Sequence, residues 1–129
     1  MLRSVLITGL DHVQIAAPPG TERDARRFYG ALLGLEEIPK PAGVADTGGA
    51  WFACGSQQLH VGVQDPFLAS RKAHPGLAVT DVASLERLAE RLMSAGSPVR
   101  WDDRLEGVRR FYTEDPWGNR IELCVPAAS

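Results

Sequence analysis

The chain has 129 residues, 44% of them hydrophobic and 23% charged, with a formal net charge of −2 and a pI near 5.9. This balance is ordinary for a globular protein and gives no electrostatic case for binding nucleic acid. No apolar run approaches the roughly 20 residues of a membrane-spanning helix, and Met1 to Ile7 is too short and too soon interrupted for a signal peptide. A cytoplasmic protein without membrane attachment is expected. Cys54 and Cys124 stand alone without CxxC spacing, so they are expected to be free thiols packed as small hydrophobes.

Leu10 to Ala17 alternates as a strand, with Val13 and Ile15 on one face and His12, Gln14 and Ala16 on the other. Pro18-Pro19-Gly20 ends it. A helix follows, with Thr21 as its expected N-cap and Asp24 as a weak capping box. Its buried face is Ala25, Phe28, Tyr29, Leu32 and Leu33, and Gly34 supplies the left-handed residue past its end. Leu35 to Ile38 reads as a short strand and Pro39 to Gly49 as a loop. Ala50 to Cys54 and Gln57 to Gln64 form a hairpin around Gly55-Ser56.

Residues 65–73 read as a linker. His74 to Val79 is the next strand, with Pro75 tolerable near its start. Asp81 or Ser84 caps a second helix, whose apolar face is Leu85, Leu88, Ala89, Leu92 and Met93 and whose stop is Gly96. Pro98 to Trp101 is a weak strand, and Asp102, Asp103 and Glu106 fall in a solvated loop. Val108 to Thr113 and Arg120 to Val125 are strands either side of the turn Asp115-Pro116-Trp117-Gly118-Asn119.

Each half therefore reads strand, helix, three strands, and the halves superimpose at an offset of 62. His12 maps to His74, Gly34 to Gly96, and His60 to Glu122. In the four strands that carry these residues the odd-numbered apolar positions share a face that should pack on the helices. His12, His60, His74 and Glu122 lie on the opposite face, which must meet solvent, a partner or a cleft. Three imidazoles and a carboxylate on one face make a nitrogen and oxygen site for a divalent ion such as Zn, Ni, Fe or Mn. His12, His74 and Glu122 alone are a two-histidine, one-carboxylate set. His60 is then a fourth ligand or a general base. Arg71, Arg109, Arg110 and Arg120 are candidates to grip an anionic substrate, Arg120 foremost because it shares the face of Glu122. One residue of each pair Trp51-Phe52 and Phe111-Tyr112 should face the cleft, and Trp51 and Phe111 are taken as substrate contacts.

Asp11-His12-Val13-Gln14-Ile15, Phe28-Tyr29 followed by Leu32-Leu33-Gly34-Leu35, and above all Asp115-Pro116-Trp117-Gly118-Asn119-Arg120-Ile121-Glu122-Leu123 resemble the vicinal oxygen chelate superfamily. This group contains glyoxalase I, the extradiol dioxygenases and the bleomycin-binding proteins. The resemblance implies an α+β fold of two paired βαβββ modules, forming a curved mixed sheet around a cleft with helices on its outer face. Module one would run from about 5 to 64 and module two from about 74 to 126, in a single domain covering 1–129. It implies metal ligands at His12, His60, His74 and Glu122, a homodimer, and a site shared in some members between one chain's first module and the other's second. Where glyoxalase I-like members carry a carboxylate at the fourth strand of module one, this chain has His60.

The expected function is a metal-dependent lyase, isomerase or dioxygenase acting on a small substrate with vicinal oxygens, by Lewis-acid stabilisation of an enediolate or oxyanion. His60 and Glu122 would move protons. The alternative is a non-catalytic small-molecule-binding protein of the bleomycin-resistance type.

Overall fold

A computed structural model describes residues 6–127. The first five residues lie outside it, and with them most of the segment read for a targeting signal and the first position of module one.

Two four-stranded mixed sheets carry the architecture, and their connectivity is the same. The first holds β1 (His12–Ala17), β2 (Glu36–Ile38), β3 (Ala50–Cys54) and β4 (Gln57–Val63) in the order β1-β4-β3-β2. The second holds β5 (Gly76–Ala78), β6 (Arg100–Asp102), β7 (Arg109–Glu114) and β8 (Arg120–Val125) in the order β5-β8-β7-β6. β1 runs parallel to β4 and β5 parallel to β8; the other pairings are antiparallel. A parallel pair needs a crossover, and a helix supplies it in each half. These are the paired βαβββ modules anticipated from the repeat.

The offset of 62 survives at the level of register. Gln14 pairs with His60 and Gly76 with Glu122; Ala16 pairs with Gly62 and Ala78 with Cys124. It slips by one residue at the third strands, where Trp51 opposes His60 but Tyr112 opposes Glu122. The cause is the hairpin. Gly55-Ser56 closes the first tightly, whereas Asp115 to Asn119 closes the second with a longer loop.

The first helix begins as α1 (Glu22–Ala25) and continues directly into a π-helical stretch, Arg26–Leu32. Thr21 does not cap it through its side chain: its hydroxyl instead donates to the Pro18 carbonyl at 2.7 Å. The backbone of Thr21, at φ −113° and ψ 23°, is not the extended one from which an N-cap oxygen accepts from the first helical N–H groups. α2 (Val82–Ser94) is capped by Asp81, whose carboxylate accepts from Ser84 N at 2.8 Å. Gly34 and Gly96 close the two helices with φ of 79° and 85°, a backbone that glycine adopts without steric cost. No helix among the described residues is long and apolar enough to cross a membrane.

Ile15, Leu59 and Val61 of the first sheet and Phe111, Ile121 and Leu123 of the second join Phe28, Tyr29, Leu85, Ala89 and Leu92 of the helices in one buried cluster. The inward faces of both sheets are thus consumed by a common core. The faces bearing His60 and Glu122 are the opposite ones, as the alternation requires.

Candidate functional site

The second sheet carries a compact polar group. His74, in the turn before β5, directs Nε2 at Glu122 Oε1 at 3.0 Å. Its Nδ1 lies 3.0 Å from the Lys72 carbonyl, which can only accept, so Nδ1 carries a proton and Nε2 is the nitrogen that faces the carboxylate. The other oxygen of Glu122 faces Arg110 Nη1 at 3.5 Å. Arg110 also meets Asp102 at 3.2 Å. Asp102 therefore belongs to β6 and to this group, not to the solvated loop expected for it. Its side chain is only 11% exposed, and hydrogen bonds from Arg104, then from Arg110, hold its carboxyl well below the usual range. Tyr112 lies across from Glu122 and edge-on to His74, with ring centroids 5.4 Å apart. The Arg120 guanidinium lies over the Tyr112 ring, its carbon 3.9 Å from the ring centre.

The first sheet is built differently. Trp51, His60 and His12 form a continuous ring stack. Trp51 and His60 are 3.7 Å apart and inclined by 4°; His60 and His12 are 4.4 Å apart and inclined by 22°. His60 is 5% exposed, and its Nε2 is engaged by Gln58 Oε1 at 2.8 Å. His12 is half exposed. Its Nδ1 lies 2.9 Å from the Asp11 carboxylate, which again leaves Nε2 free. A second oxygen partner of this kind orients a ligating imidazole and fixes its tautomer.

His12 and His74 therefore share a feature that His60 lacks: an oxygen partner holds Nδ1, and Nε2 is the nitrogen turned toward the site, in His74 toward Glu122. The fit to a divalent ion follows the same division. A span of 3.0 Å between His74 Nε2 and Glu122 Oε1 suits two ligands of one ion, each at roughly 2 Å. The nearly parallel rings of His12 and His60 do not converge in that way, because imidazole lone pairs lie in the ring plane. His12 and His60 stand on one sheet, His74 and Glu122 with the other. Among the described residues no three His, Cys, Asp or Glu side chains come together as a metal-holding group.

Of the expected substrate contacts, Trp51 and Arg120 lie on the faces of His60 and Glu122. Phe111 does not. It is fully buried and pairs with Leu123 on the core side, and Tyr112 occupies the Glu122 face in its place. Gln58, Arg100 and Gln14 were not singled out by sequence reasoning. Gln58 and Gln14 share the strand parity of His60 and His12, which was the one available signal. The Gln14 amide lies over Gly62, within 2.8 Å of where a Cβ would stand, so this small residue makes room for a neighbour as well as for a ligand. Cys54 and Cys124 are free and half-buried, and burial pushes both thiols up.

Desolvation, and then the nearby His12, push the His60 imidazole below its ordinary value. The fold therefore prefers neutral His60. Its contribution to stability is complete above the unfolded value near 6.5 and is lost as the pH falls through the lower folded value. An NMR titration of the metal-free protein should place the His60 midpoint below 6.5; a midpoint at or above it contradicts the buried stack.

The description "Glyoxalase/Bleomycin resistance protein/Dioxygenase superfamily" belongs to the family model that matches residues 9–123. A crystal structure from Bacillus anthracis, provisionally assigned to the glyoxalase family, is 44% identical, with 96% of this chain and 98% of that one covered and a TM-score of 0.88. A lactoylglutathione lyase from Agrobacterium tumefaciens is similar in fold at 22% identity, covering 94% and 96%, with a TM-score of 0.72. The fosfomycin resistance protein FosX from Mesorhizobium loti is so at 19% identity, covering 95% of each chain, with a TM-score of 0.71. No curated protein sequence matches the chain. With nearly its whole length matched by the family model and by a relative of this identity, the chain belongs to the glyoxalase/bleomycin resistance/dioxygenase superfamily, the vicinal oxygen chelate group.

Proposed function

We propose that this protein is a metal-dependent enzyme of the superfamily, acting on a small substrate with adjacent oxygens, and that its metal site is completed between two chains. The observation that carries the reading is the His74–Glu122 pair, set 3.0 Å apart with the ligand nitrogen of His74 already selected. His12, with its own Nε2 left free by Asp11, is the matching third ligand. The two parts stand on different sheets, and the inward faces of those sheets are taken up by one core. A second copy brings the first sheet of one chain to the second sheet of the other. A symmetric dimer then holds two equal sites.

A divalent ion held there supplies Lewis acidity toward two neighbouring substrate oxygens. The chain's own residues do the rest. Arg110 holds Glu122 in line by facing its second oxygen. The stacked rings of Trp51, His60 and His12 present an aromatic wall beside which a substrate can lie. With the Nε2 proton given to Gln58, Nδ1 is the one nitrogen of His60 able to accept a proton, and neutral His60 is ready to do so at pH 7. His60 is thus a wall and a candidate base in this reading, and the ligand set is His12, His74 and Glu122.

Metal analysis of protein purified without a histidine tag should find about one Zn, Ni, Fe or Mn ion per chain. Glu122→Gln should lose it, because the amide cannot supply the charge that pairs with a dication. A wild-type content near zero contradicts the proposal. The Trp51–His60–His12 stack favours a second reading, a non-catalytic binder of an aromatic ligand in the bleomycin-resistance manner. Its mark is a ligand-dependent rise in melting temperature in protein that holds no metal and turns nothing over.

A further inference from the structure

Beside Glu122, on the same face of the second sheet, lies a cavity of about 230 Å³ lined by Arg71, Arg100, Tyr112, Glu114, Gly118 and Arg120. We propose that this cavity binds the doubly charged, phosphate-class oxyanion of the substrate, with Arg71 and Arg120 as its principal contacts. The inference rests on the function proposed above only in placing that group next to the reacting centre; the binding itself stands apart from any metal.

Charge bookkeeping around the cavity points to a dianion. Arg100 is neutralised by Glu114 at 2.9 Å. Arg104 and Arg110 share Asp102, and Arg110 leans on Glu122 as well. Among the described residues, Arg71 and Arg120 have no carboxylate within ion-pair distance, and neither guanidinium makes a hydrogen bond. Two uncompensated cations lining one cavity repel each other unless an anion lies between them. Arg120 is also prepared for the task. Its guanidinium carbon sits 3.9 Å from the centre of the Tyr112 ring, so the group is restrained before a ligand arrives and less order is lost on binding.

Position favours a small substrate. Arg120 and Glu122 are two residues apart on β8, which is roughly 7 Å along a strand. A small molecule with its oxyanion at Arg120 would present oxygens to Glu122 and His74 from about that distance. This describes a short phosphorylated metabolite.

The test is a calorimetric titration of the full-length protein with inorganic phosphate at low ionic strength, where such contacts are least screened. It is run in parallel on wild type, Glu122→Gln, Arg120→Gln and Arg71→Gln, with acetate as the monoanionic comparison. The expected result is one phosphate per chain in wild type and in Glu122→Gln, weaker binding of acetate, and a loss of about tenfold or more in each arginine variant. Arg71 is exposed in the linker, so its variant decides the matter if Arg120→Gln does not fold. Phosphate binding that disappears in Glu122→Gln yet survives both arginine variants would move the anion to a metal and overturn the proposal. So would the absence of binding up to about 10 mM phosphate, or acetate binding as tightly as phosphate. If wild type holds no metal but binds phosphate through the arginines, the functional reading fails and this one stands.

Discussion

Asp115→Ala is expected to cost about 3–5 kcal/mol of stability, a large share of what a domain of this size has. The Asp115 carboxylate is 5% exposed and accepts four hydrogen bonds: from Tyr29 Oη at 2.7 Å, Asn119 Nδ2 at 2.8 Å, Asn119 N at 2.9 Å and Trp117 N at 3.0 Å. Truncation strands four donors at once, three of them in buried hydrogen bonds. It also frees Asn119, whose amide donates to the Ala16 carbonyl at 2.8 Å and whose Oδ1 accepts from Ser70 N at 2.9 Å. That side chain fastens the end of β1, which begins with His12, to the turn that leads into Glu122. The melting temperature should fall by on the order of 10–20 °C. Tyr29→Phe, which removes one donor and leaves the acceptor to the other three, should cost about 1 kcal/mol. Equal melting temperatures for Asp115→Ala and Tyr29→Phe would show that the network is not what holds the turn.

Gly49→Ala is expected to be of the same order, at least about 3 kcal/mol, by a purely steric route. Gly49 has φ of 79°, and a Cβ there would stand 1.9 Å from the Val61 carbonyl oxygen, a backbone atom inside β4. No rotamer relieves that contact. Its N–H meanwhile donates to Glu22 Oε2 at 3.1 Å, so the loop is also tied to the start of the first helix. A shift at Gly49 carries Ala50 and Trp51 with it and draws Trp51 off the His60 ring. Near-ultraviolet circular dichroism should report the changed tryptophan environment along with the lower melting temperature. Gly43→Ala in the same loop, where a Cβ meets nothing within 4 Å, should change neither.

The two modules were readable because alternation and helical spacing follow directly from burial on one face. β3 and β8 begin and end where the apolar pattern does, and the parity of His12, His60 and Glu122 held. What the pattern does not contain is the length of a turn as felt across a sheet. The five residues from Asp115 to Asn119 shift β7 by one position relative to β3, and this sends Phe111 inward and Tyr112 outward. Ring orientation is equally unwritten. His12, His60 and His74 look alike as letters; only their partners Asp11, Gln58 and Lys72 distinguish two rings held through Nδ1 from one held through Nε2. Asp115 is recognisable as a turn residue and as part of the superfamily's motif. Its bond to Tyr29, 86 positions away, depends on how the modules pack.

A mixing experiment tests the shared site most directly. His12→Ala and Glu122→Gln are each expected to leave the protein without metal. In a heterodimer of one chain of each kind, one site receives His12 from the Glu122→Gln chain and His74 with Glu122 from the His12→Ala chain, and is therefore intact; the other lacks both. Co-expressed and separated by distinct tags removed before analysis, the heterodimer should hold about half the metal of wild type. A heterodimer as empty as its parents, beside a wild type that binds one ion per chain, would place the whole site within a single chain and contradict the reading.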